Sequence, residues 1–220
     1  MTDPQDNDVP LSTLRPRLIE AMLLHVPFDG WSAVARDAGA LDAGIDPDIA
    51  ALALPDAASM ADAYTARADA MMAEAMMAAG VETMKIRERI KLALTTRLEQ
   101  AADNKEAVRR ALSVMAMPAN AGLAMRTLWR TADGMWRAAG DTATDFNHYS
   151  KRVILGSVYS AVLLYWLDDD SENMADTRAF IDRRIEDVMR IEKAKSGVKQ
   201  ALEHLPDPAR FLGRLRYPVS

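Results

Sequence analysis

Leu128-Trp-Arg-Thr-Ala-Asp-Gly-Met-Trp-Arg-Ala-Ala-Gly140 and, beyond a short join, Phe146-Asn-His-Tyr-Ser-Lys-Arg-Val-Ile-Leu-Gly-Ser-Val-Tyr-Ser-Ala-Val-Leu-Leu-Tyr-Trp-Leu167 decide the fold class. In the first stretch, extended back to Pro118, one helical face carries Met125, Leu128, Trp129, Ala132, Trp136 and Ala139. The opposite face carries Arg126, Arg130, Asp133 and Arg137. The second stretch holds 15 consecutive uncharged residues from Val153 to Leu167. At roughly 22 Å of helix it is too short to span a bilayer. It reads as a helix buried on most sides, centrally or at a dimer interface. Gly140 is placed to close the first helix and Asp145 to cap the second.

Helical spacing extends outward from these segments in both directions. Helices are expected over about 10–25, 31–38, 47–54, 57–79, 84–102, 105–115 and 175–194, with a turn at 26–30. The breaks fall at Gly39, Gly44, Pro47 and Gly80, and Asp46 and Asp56 serve as N-caps. In the last helix Ile181, Ile185 and Val188 face inward. Almost nowhere do β-branched and aromatic residues alternate as a half-buried strand requires. The 39 alanines and 14 methionines, with aromatics at only 6%, favour helices around an adaptable interior. The reading is all-α, nine or ten helices, organised as a disordered acidic tail (1–9), an N-terminal region (10–83), a helical core (84–195) and a short basic tail (196–220).

Charge is split along the chain. Residues 1–84 carry 14 acids and 4 bases, while residues 85–220 carry 18 acids and 23 bases. The acidic front is a poor nucleic-acid surface; the basic back suits phosphate, anionic lipid or an acidic partner. Two basic segments stand out. Lys85-Ile-Arg-Glu-Arg-Ile-Lys91 is either a solvated face or an anchor for anionic groups. Arg210, Phe211, Leu212, Arg214 and Leu215 make a miniature basic amphipathic helix suited to a membrane surface. The polar, acidic start of the chain resembles neither a signal nor a transit peptide, so the expectation is a cytoplasmic protein.

Catalytic machinery is hard to find. The chain has no cysteine, which excludes disulfides, thiolate nucleophiles and Cys-ligated metals. His25, His148 and His204 lie far apart with no metal-ligand spacing, so no metal is expected. There is no G-x-S-x-G elbow, GxGxxG loop or Walker lysine. The Trp-bearing stripe is core first of all, yet small alanines opposite indoles can also leave an apolar cavity. Trp136, Asp141, Phe146, His148, Tyr149 and Arg152 crowd one corner, the composition of a protein-binding hot spot and equally of an ordinary helix corner.

That corner carries a resemblance. Asp133-Gly-Met-Trp136, Ala139-Gly-Asp141 and Thr144-Asp-Phe-Asn-His-Tyr-Ser-Lys-Arg152 resemble the coenzyme Q (ubiquinone) biosynthesis accessory proteins, lipid binders with the fold of TetR-type regulators. The similarity continues through Leu164-Tyr-Trp-Leu-Asp168 and Phe180-Ile-Asp-Arg-Arg184, and upstream through His25-Val-Pro-Phe-Asp-Gly-Trp-Ser32 and Ile86-Arg-Glu-Arg-Ile90. In all it covers about residues 15–193. Where the family has tryptophan after Phe-Asn, this chain has His148, and the family's long C-terminal membrane helix is shortened here.

The resemblance implies a non-enzymatic protein, without cofactor, that holds an isoprenoid quinone precursor in an apolar cavity. It implies delivery to the demethoxyubiquinone hydroxylase by a homodimer peripherally attached to the inner membrane. Partner contact maps onto Met135, Trp136, Asp145, His148, Tyr149 and Arg152. Lipid contact is assigned to Leu128, Trp129, Ala132, Val158 and Val162. A TetR-type fold places a helix-turn-helix within residues 18–83, and Trp31–Gly39 resembles its first half. Those residues carry two bases, Arg36 and Arg67, against eleven acids, so the fold is read as retained and DNA binding as lost. The rival readings are a ligand-responsive TetR-type regulator and a small enzyme.

Overall fold

Apolar residues at three- and four-residue spacing, strong helix formers and well-placed caps produce ten α-helices in the computed structural model, which describes residues 10–141 and 146–203. No strand occurs among the described residues. The helices are α1 (Leu11–Met22), α2 (Val26–Asp29), α3 (Ala33–Ala43), α4 (Pro47–Ala53), α5 (Ala57–Ala78), α6 (Ile86–Gln100), α7 (Lys105–Met115), α8 (Ala121–Ala138), α9 (Phe146–Leu167) and α10 (Ala175–Glu203). The all-α expectation holds. The chain divides into two compact units, one up to Ile181 and one from Asp182 onward. In the second, Asp187 ion-pairs Arg184 at 2.8 Å and also Arg190. Asp145, the basic tail with Arg210, Phe211, Leu212, Arg214 and Leu215, and His204 lie outside the described residues.

Local chemistry sets most helix ends. Asp46 accepts from the amides of Asp48 and Ile49 at 2.8 and 3.4 Å, and Pro47 supplies the first-turn φ of α4. Asp56 and Ser59 form a reciprocal capping box on α5, with Ser59 N donating to the Asp56 carboxylate at 2.7 Å. Three boundaries differ from the expectation. Residues 26–29 form a single helical turn, because Pro27 fixes a helical φ and Gly30 closes it at φ +70°. Gly39 does not end α3; that helix starts under a Ser32 cap and runs to Gly44. α10 continues past Ala194 to Glu203, with no proline to stop it before Pro206.

The reason for Gly39 is packing. A Cβ there would meet Met22 Cγ at 2.8 Å and Met22 N at 2.9 Å, so glycine is what lets α3 lie against α1. α1 packs across both α3 and α4, whose short connection through Gly44, Ile45 and Asp46 gives a helix-turn-helix. Trp31, buried at the entry to α3, donates its indole N–H to Ala107 O of α7 at 3.0 Å and packs on Tyr64 of α5. α5 packs on α1, α6, α7 and α8, and α8 on α9, so α5 is central to this unit.

α9 is less enclosed than its sequence suggests. Leu155, Tyr159, Val162, Leu163 and Trp166 are buried, whereas Val153, Ser157, Ala161 and Leu164 form an outward stripe. Its C-terminal end is held by α7, where Arg109 donates to Leu167 O at 3.1 Å and Lys105 to Asp169 O at 2.5 Å. Asp169 organises the turn into α10. Burial pushes its carboxyl up, but hydrogen bonds from Ser171 and Thr177 outweigh that and hold it far below the usual carboxylate range.

Two substitutions of glycine separate packing from propensity. Gly39→Ala is expected to destabilise the protein by about 1–3 kcal/mol through the Met22 clash. Gly134→Ala, in α8 with nothing near its Cβ, is expected to stabilise by about 0.5–1 kcal/mol; urea denaturation reads both. Asp169 gives a pH dependence. Its depressed folded pKa contributes stability that is complete above the unfolded value of about 4 and is lost progressively below it. The Tm difference between the protein and Asp169→Asn should therefore be largest near neutral pH and shrink as pH falls below about 4.

Candidate functional site

Two features of the helical core bear on function, and both use α8 and α9. The first is the corner between them. α8 ends at Gly140, whose φ of +85° requires the left-handed region that glycine tolerates. Arg89 of α6 caps that end, donating to Ala139 O at 2.9 Å. From the start of α9, Arg152 reaches back, its Nε 2.5 Å from Asp133 Oδ1 and its Nη1 3.4 Å from Asp141 Oδ2. Nη1 also donates to His148 O at 3.0 Å. Lys151 pairs with Asp141 at 2.8 Å and lies 5.3 Å from the Trp136 ring centroid, while the Trp136 indole donates to Lys151 O at 3.0 Å.

These contacts sort the six residues assigned to partner contact. Met135 is fully buried and Arg152 is only 2% exposed, so neither offers surface. Arg152 holds α8 to α9 from inside, because a guanidinium taken from water needs carboxylates to compensate it, and Asp133 and Asp141 are both within reach. Trp136 is half-buried and tied to the backbone. His148 and Tyr149 face outward, Tyr149 at 61% exposed. Trp129, read as a cavity residue, instead joins them at the surface, with ring centroids 6.4 Å from His148 and 5.9 Å from Tyr149. Exposed Met125 of α8 and Val153 of α9 each lie one turn from this aromatic cluster. The sequence stripe put Met125 and Trp129 in the core because α8 is amphipathic over an arc wider than α9 and α5 cover.

The second feature is a cavity of about 260 Å³ walled by α5, α6, α7, α8 and α9. Its sides are apolar, including Leu98, Val108, Leu112, Met115, Leu128 and Leu163, and one region is polar, formed by Tyr64, Arg97 and Tyr159. Of the five residues assigned to lipid contact, Leu128 alone lies on this wall. Ala132 and Val162 are buried elsewhere in the core, and Val158 is half-buried. Helical periodicity shows that these side chains face inward but not which of them border empty space.

A polar network supports the cavity. Arg97 Nη1 lies 2.8 Å from Asp69 Oδ1, and its Nε donates to the Tyr159 hydroxyl oxygen at 2.9 Å. Asp69 also pairs with Arg130 at 3.3 Å and accepts from Thr131 at 3.2 Å. One turn pair earlier, Asp62 takes Arg130 and Thr127, each at 2.8 Å. Burial pulls the Arg97 guanidinium down, but Tyr159 and Asp69 outweigh that and hold it above its ordinary value. Burial likewise pushes the Tyr64 hydroxyl up to about 12, against an opposing pull from Arg97. Tyr64, Arg97 and Tyr159 were missed because the Arg97–Tyr159 bond spans 62 residues of sequence and no motif links them.

Other basic groups find internal uses. In Lys85–Lys91, Arg89 caps α8 and Glu88 lies 3.1 Å from Arg87 and 3.6 Å from Lys91, which leaves less free positive charge than the sequence suggests. In the helix-turn-helix region, Arg36 is buried, pairing with Asp37 at 2.8 Å and bonding Leu54 O, and Arg67 pairs with Glu20. Neither is available to phosphate. Among the described residues no helix is long and apolar enough to cross a membrane, and no three metal-ligating His, Asp or Glu side chains cluster.

Removing the internal and the external corner residues should differ sharply in their cost to stability. Arg152→Met removes the buried cation between Asp133 and Asp141, which keep Arg137 at 2.7 Å and Lys151 at 2.8 Å, and is expected to cost about 1–3 kcal/mol in urea denaturation. Tyr149→Ser, on the open surface, should change stability by no more than about 0.5 kcal/mol.

Comparison with known proteins adds to this geometry. The COQ9 family model matches residues 121–192, the stretch that runs through α8, the corner, α9 and into α10. The mitochondrial ubiquinone biosynthesis protein COQ9 of Rattus norvegicus is 29% identical over 199 residues, covering 87% of this chain and 64% of its own. That of Homo sapiens is 28% identical, covering 87% and 63%. A probable ubiquinone biosynthesis protein of Dictyostelium discoideum is 25% identical, covering 86% and 64%. The chain thus spans a little under two thirds of the length of these relatives. Among solved structures, a TetR transcriptional regulator from Nitrosomonas europaea superposes with a TM-score of 0.63 at 20% identity, covering 79% of this chain and 97% of the regulator. The resemblance read from the corner motif is therefore borne out: the chain is similar to COQ9 proteins over most of its length and shares the all-α fold of a TetR regulator.

Proposed function

We propose that this protein is a non-enzymatic accessory factor of ubiquinone biosynthesis. In this reading it takes an isoprenoid quinone precursor into the cavity of the helical core and presents it to the demethoxyubiquinone hydroxylase at a membrane. The observation that carries the proposal is the coincidence of cavity and family match. Ala124, Thr127 and Leu128 of α8 and Tyr159, Ser160, Leu163 and Leu164 of α9 form one side of the cavity and fall within the segment that the COQ9 model matches, while the side formed by α5, α6 and α7 lies outside it. The need for such a protein is physical. Each CH₂ of a polyprenyl tail exposed to water costs about 0.8 kcal/mol, so the lipid does not leave a bilayer without an apolar host. At about 260 Å³ the cavity is small beside the roughly 300–1,000 Å³ of ordinary ligand pockets, so it suits a ring or a short stretch of chain.

The partner surface in this proposal is the Trp129–His148–Tyr149 cluster with Met125 and Val153. It offers exposed aromatic and apolar area beside a rigidly stapled corner, which is what a hot spot needs. The chain is further proposed to act as a homodimer. The basic tail, with Arg210 and Arg214 beside Phe211, Leu212 and Leu215, is proposed to touch the membrane. A regulator role is disfavoured by the helix-turn-helix itself. Its second helix, Pro47-Asp-Ile-Ala-Ala-Leu-Ala53, has no base and exposes Asp48 and Leu52 where a DNA-reading helix would need cations.

The deciding measurement is mass spectrometry of an organic extract from gently purified protein, compared with an unrelated helical control. Enrichment of an isoprenoid quinone precursor is the expected result; bulk phospholipid alone, or nothing, would remove the lipid cargo from the proposal. A second measurement addresses the partner. Tyr149→Lys should reduce copurification of the hydroxylase at least tenfold-equivalent in apparent affinity, about 1.4 kcal/mol, without changing the circular dichroism.

A further inference from the structure

The polar region of the cavity is built more like a recognition site than like a filler of space. Arg97 is buried, and its Nε donates to the Tyr159 hydroxyl oxygen at 2.9 Å. A hydroxyl that accepts from a guanidinium keeps its own proton for another acceptor. Tyr64 stands beside it on the same wall, and no described residue hydrogen-bonds its hydroxyl. With the Tyr64 pKa near 12 that hydroxyl remains a donor at any physiological pH. Arg97 Nη1 meets Asp69 Oδ1 at 2.8 Å as an ion pair out of line for a hydrogen bond, so the cation is neutralised but not saturated with hydrogen bonds.

Both tyrosines line the cavity with a proton to give, and a donor facing an apolar cavity is most favourable when a ligand or water accepts from it. Here they sit at one region of a cavity whose remaining wall is apolar, including Leu98, Leu112, Met115 and Leu128. Leu164, also on the wall, is 61% exposed and so marks the mouth. The inner region therefore asks for a hydrogen-bond acceptor and the path outward asks for hydrocarbon.

We infer that Tyr64 and Tyr159, the latter oriented by Arg97, hold the carbonyl or phenolic oxygen of a quinone-type ring, with its prenyl chain leaving past Leu164. The inference rests on the lipid-carrier reading and adds to it: the ring enters first, and the two tyrosines are the determinants that distinguish a ring-bearing isoprenoid from a plain hydrocarbon. Arg97 is a positioning residue. It keeps the Tyr159 oxygen occupied so that the proton points to the ligand, and Asp69 balances its charge.

The test is equilibrium dialysis of the full chain with two probes, each quantified by mass spectrometry. One is a dimethoxy-methyl-benzoquinone bearing a single prenyl group; the other is farnesene, an isoprenoid hydrocarbon without oxygen. Tyr64→Phe and Tyr159→Phe each remove one hydroxyl and keep the ring, and should weaken quinone binding about fivefold to tenfold while leaving farnesene unchanged. Loss of both probes alike, or of neither, would overturn the head-group assignment, since it would make the tyrosines packing residues or place the ring elsewhere. Leu128→Trp, which fills the cavity, should abolish binding of both probes. If it changes neither, or if the unaltered protein binds neither, the carrier reading fails together with this inference. Farnesene binding that Leu128→Trp blocks, with no quinone preference, would sink the inference alone.

Discussion

Two carboxylates on one face of α5 hold this molecule together. Asp62 and Asp69 are seven residues apart and so share a face two turns apart. Between them they take Arg130, Thr127 and Thr131 from α8 and Arg97 from α6, and Arg97 passes the connection on to Tyr159 of α9. Four helices are thus tied together; the buried Asp69–Arg97 pair cannot separate without stranding its charges, while the Asp62–Arg130 pair stays partly open to water. The cavity exists because of this frame. An all-apolar interior would close over the space, whereas a network with fixed lengths and directions keeps α5 and α9 apart and leaves small and flexible side chains between them.

Basic residues elsewhere answer a different need. A bundle of helices leaves the last carbonyls of each helix without partners. Here Arg15 bonds Ala53 O at the end of α4, Arg17 bonds Ala43 O at the end of α3, Arg89 bonds Ala139 O after α8, and Arg109 bonds Leu167 O at the end of α9. Each places a cation at the negative end of a helix dipole. The consequence for function is subtractive. The positive charge counted along the back half of the chain is partly spent inside the fold, and in the front half Arg36 of the helix-turn-helix and Arg67 of α5 are committed to acids. The chain thus shares the fold of a TetR regulator at 20% identity, while the second helix of its helix-turn-helix carries no base.

The corner shows where reading from sequence succeeds and where it misplaces a residue. Gly140 as a C-cap, the helix from Phe146 and the clustering of Asp133, Asp141, Arg152 and the aromatics were all legible, because each follows from spacing along one chain segment. The direction in which each side chain points was not. Arg152 looked like a surface cation and is buried between two carboxylates; Trp129 looked like core and stands outside with Tyr149. Long side chains of either kind can reach inward or lie on a surface, and which they do depends on how much of the helix a neighbour covers. Gly39 is the same case in the backbone: its type suggested a break, and the close approach of Met22 makes it a contact.

The sequence by itself determined the all-α class, nearly every helix, the caps at Asp46 and Asp56 and the family resemblance through the corner. These depend on hydrogen bonds and apolar spacing within a few residues, and such local terms are written in order along the chain. Only the tertiary structure decided the cavity, the Asp69–Arg97–Tyr159 connection, and which aromatics face outward. Those depend on pairs separated by tens of residues, and on empty space, which no residue type encodes. A void is a property of how packed helices fail to meet, and it can be located only once all of their positions are known.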